Sequence, residues 1–340
     1  MKAARLFEYH KPLKVVEADY PKITRPDQVI VRIKGAGVCH TDLHIQEGMW
    51  HEKTNVRLPY TPGHENAGTI EEVGEGVEGF KKNDPVILHP AVTDGTCRAC
   101  RAGEDMHCEN LGFPGLDRDG GFAEFVVTSV RSLVRADGLD LTEIAPLADA
   151  GLTAIRAVKK AATNSYPGAF IGVVGVGGLG HIAIQLLRHM SNASIIAVDI
   201  VESKLKLAEQ FGAHYVVDAK KDAVKSILEI TKGKGVNAII DFVGTQATHD
   251  TCYKSLRKGG KFVIVGYGGM INARSIDMIA SELTVEGSLV GNYLELADLV
   301  ELARQGKVRV VTNKYPLDRV NEVLESLKGG GLMGRAVLTP

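Results

Sequence analysis

The chain has 340 residues, enough for about two domains at the usual ~150 residues each. Hydrophobic residues make up 44% and charged residues 24%, and Lys+Arg 40 against Asp+Glu 41 leave a formal net charge of −1. That balance excludes a disordered chain and gives no basic excess for nucleic acid or an anionic membrane.

In chain order, the start Met1-Lys2-Ala3-Ala4-Arg5-Leu6-Phe7-Glu8 carries charges where a secretory signal has its apolar run, so a cytoplasmic location is expected. The following ~150 residues hold short β-rich runs such as Gln28–Ile33 and Glu124–Val127, closely punctuated by Gly and Pro. This texture predicts an antiparallel or barrel-like β unit. Within it lie Cys39 and His64, residue types that bind zinc, with Glu65 and Asp149 as candidate carboxylate donors. Spacing alone leaves that set open, since lone Cys and His residues also serve as core or surface residues.

Asp94-x-x-Cys97-x-x-Cys100 followed by Cys108 has the spacing of a compact four-donor zinc loop. Two short steps let the ligands converge, and the stretch before Cys108 returns the chain for the last corner. Asp94 is the inferred fourth ligand, with Glu104, Asp105 and His107 as competitors; a redox pair at Cys97 and Cys100, or thiols without a role, are the rival readings. A closed site of this kind is structural, because it leaves no open coordination position.

From about Gly168 the rhythm becomes strand, helix, strand, helix. Apolar runs at Ile171–Val174, Ile195–Val198, Tyr215–Val217, Ala238–Ile240, Phe262–Val265 and Leu283–Val285 read as strands of a parallel sheet. Leu179, Ile182, Ala183, Leu186, Leu187 and Met190 mark one apolar helix face, and Leu205, Ala208 and Phe211 mark another, closed by Gly212. Phe170–Leu187 is uncharged, but its glycines read as strand, turn and helix rather than a membrane span. From about Leu289 the tail returns to shorter elements.

Gly175-Val176-Gly177-Gly178-Leu179-Gly180 lies between a strand and an amphipathic helix, and Asp199 ends the next strand. Gly175 allows the turn, Gly177 admits a pyrophosphate to the backbone, and Gly180 allows close helix–strand packing. Asp199 would bond the ribose 2′-hydroxyl and repel a 2′-phosphate, which predicts NAD over NADP; Lys204 is placed for the ribose 3′ side. The alternatives are a turn used only for packing, a strand-end cap at Asp199 and a solvated surface position for Lys204.

Gly37-Val38-Cys39-His40-Thr41-Asp42, Gly63-His64-Glu65-Asn66-Ala67-Gly68, the cysteine loop, the glycine-rich turn and Gly334-Arg335 occur in the order found in zinc-containing medium-chain alcohol dehydrogenases, which the whole chain resembles. The resemblance implies an α/β plus β fold: a GroES-like catalytic domain at 1–151, completed by 289–340, around a Rossmann doubly wound parallel sheet at 152–288. It implies two zinc ions per subunit and NAD, and small alcohol, aldehyde or ketone substrates. Neither nucleic acid nor a membrane is an expected partner. A homotetramer is expected, with a dimer next, through sheet pairing around Leu283–Val290.

By the same resemblance, Cys39, His64 and Asp149 are catalytic zinc ligands, with Glu65 able to approach the metal. Asp149 stands where the family usually has cysteine; its other reading is a helix N-cap. Thr41 and His44 correspond to the proton relay, and Asp42 to the carboxylate that orients His64. His40 and Arg335 correspond to pyrophosphate contacts. Thr153, Phe242-Val243-Gly244, Val265-Gly266 and Leu289 correspond to positions near the cofactor. Trp50, Tyr60, Phe113, Leu289 and Tyr293 are candidate pocket walls or packing residues. Rival functions are a zinc polyol, sugar or amino-alcohol dehydrogenase, a zinc-free quinone or enoyl reductase, which would lack Cys39, His64 and the cysteine loop, and a non-catalytic NAD(H)-binding sensor or structural protein. Cys252 is expected to be a buried small hydrophobe.

Overall fold

A computed structural model describes residues 1–54, 56–163 and 165–340. Its strands, in chain order, are β1 (Lys2–Arg5), β2 (Lys14–Glu17), β3 (Gln28–Val38), β4 (Glu65–Val73), β5 (Pro85–Leu88), β6 (Phe125–Ser129), β7 (Leu133–Arg135), β8 (Phe170–Val174), β9 (Ser194–Asp199), β10 (Tyr215–Asp218), β11 (Val236–Asp241), β12 (Leu256–Ile264), β13 (Thr284–Gly287), β14 (Thr312–Pro316) and β15 (Arg335–Thr339). Internal contacts divide the chain into two compact units, Met1–Leu152 with Gly291–Pro340, and Thr153–Val290.

The first unit is built on a sheet of order β14-β15-β3-β4-β5-β7, with β6 also pairing β3. Pairings in it are antiparallel except β14 with β15. β3 is longer than the predicted run because Gly35-Ala36-Gly37-Val38 continues it, paired to β4 on one side and β15 on the other. A Cβ on Gly37 would collide with the Glu65 carboxylate, so this stretch of β3 must stay bare where it passes the site. Leu6, Ile70, Phe122, Leu133, Val320, Leu324 and Leu338 share one core, so both ends of the chain pack in it. Burying each such side chain stabilises the fold by about 1.5–3 kcal/mol before entropy is counted.

The tail contributes a longer helix than its sequence texture predicts, Tyr293–Arg304. Asn292 and Glu295 cap it reciprocally: Glu295 N donates to Asn292 Oδ1 at 2.8 Å and Asn292 N to Glu295 Oε2 at 2.9 Å.

The second unit carries a fully parallel sheet of order β10-β9-β8-β11-β12-β13. The order reverses between β8 and β9 on one side and β11 on the other, which creates a crevice at the carboxyl ends of the strands. Ile196, Val198, Val217, Ile239 and Phe262 form its core together with Cys252, which is fully buried as expected. Gly212 ends the Glu202–Gln210 helix at φ +98°, a conformation open to glycine without strain. Among the described residues, no helix is long and apolar enough to cross a membrane.

Candidate active site and cofactor site

β3 delivers Cys39 to the N-terminus of the short helix His40–Gln46, and Asp42 Oδ2 accepts from the Cys39 amide at 2.8 Å. That bond fixes the cysteine backbone and turns the second Asp42 oxygen inward. Asp42 Oδ1 lies 3.5 Å from His64 Nδ1, and His64 Nε2 lies 3.5 Å from Asp149 Oδ2. The imidazole is thus flanked by two carboxylates, its Nδ1 and the facing Asp42 Oδ1 both buried and short of a full hydrogen bond.

Donor atoms of Cys39, His64, Glu65 and Asp149 all lie within 4.8 Å of one another. One thiol, one imidazole and carboxylates at that separation fit a zinc ion. Burial acts to lower the His64 pKa, but Asp42, Asp149 and Cys39 outweigh it and raise it well above the ordinary histidine value. The cluster is a negative well that favours a cation. Asp149 follows the 3-10 turn Ala145–Ala148 and precedes the helix Ala150–Ala162, so a bend aims its carboxylate at His64. The Cys39 thiol lies 3.7 Å from Thr41 Oγ1, and Thr41 and His44, three residues apart, share one face of their helix.

Glu65 begins β4 and is fully buried. Burial pushes its carboxyl up to about 7, against the pull of the Arg335 guanidinium, whose Nε donates to Glu65 Oε2 at 3.1 Å and whose Nη2 donates to Oε1. The sequence reading of Arg335 as a cofactor contact did not include this partner. Two charges far apart in the chain carry no local signal of pairing, although both sit in motifs that the sequence singles out.

The second cluster joins Asp94, Cys97, Cys100 and Cys108, again within 4.8 Å. Cys97 caps the helix Arg98–Arg101, accepting from Cys100 N at 3.5 Å, and Asp94 N donates to Cys108 Sγ at 3.5 Å. Asp94 is braced by Cys97 N at 2.9 Å, Thr96 N at 2.7 Å and Asn110 Nδ2 at 2.8 Å, which hold its carboxyl far below the usual range. Burial, followed by the neighbouring thiols, pushes the Cys100 thiol up to about 12. The Cys97 thiol is drawn the other way, lowered by the Cys100 amide, so the cluster offers one thiol ready to ionise beside one that a cation must deprotonate, a donor set that suits a soft divalent metal.

The competing donors lie elsewhere. Glu104 and His107 face each other at 3.4 Å on the exposed side, and Asp105 Oδ2 accepts from Tyr293 N at 2.8 Å. Of the candidate pocket walls, Tyr60 is in the first unit's core, with Trp50 and Phe113 packed against that core. Tyr293 donates its hydroxyl to Leu133 O at 3.0 Å, whereas Leu289 is exposed.

In the second unit, β8 ends at Val174 and Gly175 turns at φ +88°, its N–H donating to Val198 O at 2.9 Å. A Cβ on Gly180 would collide with the Gly175 carbonyl, whereas one on Gly177 would meet nothing within 4 Å. Open space beside Gly177, with Gly178 and Leu179 leading to the N-terminus of the helix Gly180–Met190, fits a dinucleotide pyrophosphate. Asp199, the last residue of β9, accepts from Val176 N at 2.7 Å and Val201 N at 2.9 Å. Its carboxylate therefore braces the glycine turn and the approach to the helix that carries Lys204. Thr153 is buried on the helix Ala150–Ala162, and His40 is exposed at the start of its own.

Residues 25–138 match the alcohol dehydrogenase GroES-like domain and residues 178–305 the zinc-binding dehydrogenase family. The chain is 38% identical over 350 residues, covering 100% of both chains, to an NAD-dependent alcohol dehydrogenase of Saccharolobus solfataricus. This chain belongs to the zinc-dependent alcohol dehydrogenase family. The crystal structure of the alcohol dehydrogenase of the hyperthermophilic archaeon Aeropyrum pernix superposes with a TM-score of 0.98 at 61% identity, covering 100% of each chain. A D-arabinose 1-dehydrogenase (NADP(+)) of S. solfataricus is 37% identical over 344 residues, 100% of this chain and 97% of that one. Family membership makes the protein an oxidoreductase with a GroES-like domain and a Rossmann domain.

Proposed function

We propose that this enzyme catalyses the reversible NAD-dependent oxidation of primary or secondary alcohols to aldehydes or ketones, with two zinc ions per subunit. The observation that carries the reading is the buried convergence of Cys39, His64 and Asp149, with a hydroxyl beside it at Thr41. Zinc held there supplies a Lewis acid, and the nicotinamide supplies the two-electron acceptor.

The chain's own residues do the rest. Asp42 orients His64, while Glu65, restrained by Arg335, stands ready as a further carboxylate donor. Thr41 receives the proton of the alcohol, and His44 on the same helix face passes it to solvent. The Gly175–Gly180 turn holds the pyrophosphate, with His40 and Arg335 as further contacts. Asp199 selects a ribose over its 2′-phosphate, with Lys204 at the ribose 3′ side. Thr153, Phe242, Val243, Val265, Gly266 and Leu289 border the nicotinamide end. Asp94, Cys97, Cys100 and Cys108 hold the second, structural zinc.

Metal analysis of the parent and of Asp149→Ala tests the assignment: two zincs falling to one, with turnover abolished and the fold retained, is expected. An unchanged metal content or retained turnover rejects it. Parallel assays with ethanol, a longer primary alcohol, a cyclic secondary alcohol and D-arabinose separate alcohol from sugar oxidation. The relative at 37% identity named for D-arabinose makes sugar oxidation the alternative reading.

We further propose a homotetramer, with a dimer next, working in the cytoplasm. Exposed Met270, Ile276 and Ile279 lie just before β13, which ends the parallel sheet and pairs β12 alone among the described strands. Free thiols used as metal donors suit a reducing compartment. Sedimentation analysis tests the oligomer; a monomer at micromolar concentration rejects it.

A further inference from the structure

Asp241 is the last residue of β11 and is fully buried, a costly place for a carboxylate unless every oxygen is used. Every oxygen is used. Its backbone carbonyl accepts from Val265 N at 3.0 Å and Gly266 N at 2.9 Å. Side-chain Oδ1 accepts from Val243 N at 2.8 Å and Gly244 N at 3.0 Å, and Oδ2 from His249 Nδ1 at 2.9 Å. Because a carboxylate only accepts, His249 carries its proton on Nδ1.

His249 is itself buried on the helix Gln246–Lys254, its ring edge-on to Phe262 with centroids 5.7 Å apart. One residue therefore ties together the turns after β11 and after β12. Those turns also touch: a Cβ on Gly244 would strike the Gly266 backbone, and Gly269 N donates to Gly244 O at 2.8 Å. A Cβ on Gly175 would come 2.6 Å from Val243 Cγ2, so the assembly abuts the first glycine of the phosphate turn.

We infer that the Asp241–His249 pair positions the turns Phe242–Gly244 and Val265–Gly266 for the nicotinamide half of the cofactor. The inference rests on the proposed NAD function. His249 touches no substrate; it orients the Asp241 carboxylate, which holds the first turn directly, and the second turn hangs on the backbone carbonyl of the same residue. The Phe242–Gly244 turn, held by two charge-assisted hydrogen bonds to Asp241 Oδ1, is already in its binding conformation, so the cofactor loses less free energy in ordering it.

The test is fluorescence titration of NADH into zinc-replete parent, His249→Ala, His249→Phe and His249→Asn. Asn keeps an N–H at the position of Nδ1, whereas Phe keeps the ring and loses the donor. His249→Ala and His249→Phe are expected to bind NADH about tenfold more weakly and to raise KM for NAD similarly, with zinc content and KM for alcohol unchanged. His249→Asn is expected to recover most of the loss. Should the Ala variant fail to fold, the comparison of Phe with Asn decides alone. Equal NADH affinity in parent and Phe variant overturns the positioning role, as does an Asn variant as weak as the Phe variant. A parent that binds no NADH overturns the NAD reading, and this inference with it.

Discussion

The guanidinium of Arg335 grips both carboxylate oxygens of Glu65 across 270 residues of sequence, and both side chains are buried. Removing Glu65 strands the guanidinium charge in a dry interior, and removing Arg335 leaves the Glu65 carboxyl to bury its charge alone or to take up a proton. Arg335→Met is expected to destabilise the protein by about 3–5 kcal/mol. The double variant Glu65→Gln/Arg335→Met should recover part of that loss, because no uncompensated charge remains. Urea unfolding of the parent, both single variants and the double variant measures the coupling; additive losses would show that the two do not act as a pair.

The glycine turn separates stability from binding. Gly180→Ala is expected to cost about 1–3 kcal/mol of stability, since its methyl would strike the Gly175 carbonyl. Gly177→Ala should leave the thermal midpoint unchanged yet weaken NADH, because its methyl enters the space proposed for the pyrophosphate. Paired melting curves and NADH titrations check both halves of the contrast.

These cases also mark what was legible in the sequence. β-branched runs bounded by turns announced all six strands of the parallel sheet, most plainly β8, β9 and β11, where burial on both faces demands continuous apolar residues. Thiol spacing announced the Asp94–Cys108 loop, since neighbouring donors need little chain to converge. The Glu65–Arg335 and Asp241–His249 partnerships were not legible. The former joins remote strands whose register only the finished sheet sets. The latter pairs a strand-end acid with a helix-face histidine, residue types that usually meet solvent. An acid at the end of β11, echoing Asp199 at the end of β9, was the available signal.

At the thiol cluster, Asp94→Asn retains one oxygen for the Thr96 and Cys97 amides but replaces the acceptor facing Asn110 or the cluster with a donor. Metal affinity there should fall about 10–100-fold, read by competition with a chromogenic chelator. The thermal midpoint should drop with it, while turnover below that midpoint stays close to the parent's. A large loss of turnover at full metal loading would contradict a purely structural site.

His89 supplies an acid-sensitive element. It is buried with Nε2 2.9 Å from Gly291 O and Nδ1 beside Ala91, and burial holds its pKa below the ordinary value of 6.5. The unfolded chain therefore takes up a proton at a pH where the folded chain does not. Its contribution to stability is complete above 6.5 and is lost as pH falls below that value. The thermal midpoint of His89→Gln should fall less steeply between about pH 7 and pH 5 than that of the parent. Parallel slopes would assign the acid sensitivity to other groups.

Because β15 pairs with β3 at Ala36–Val38, immediately before Cys39, the unit that carries Cys39 and His64 is assembled from segments separated by the whole Thr153–Val290 unit. On the ribosome, Glu65 emerges long before Arg335, and the parallel sheet is synthesised in the interval. The nascent sheet must wait, two strands short and with the Glu65 acid unpaired, until a later part of the message has been read.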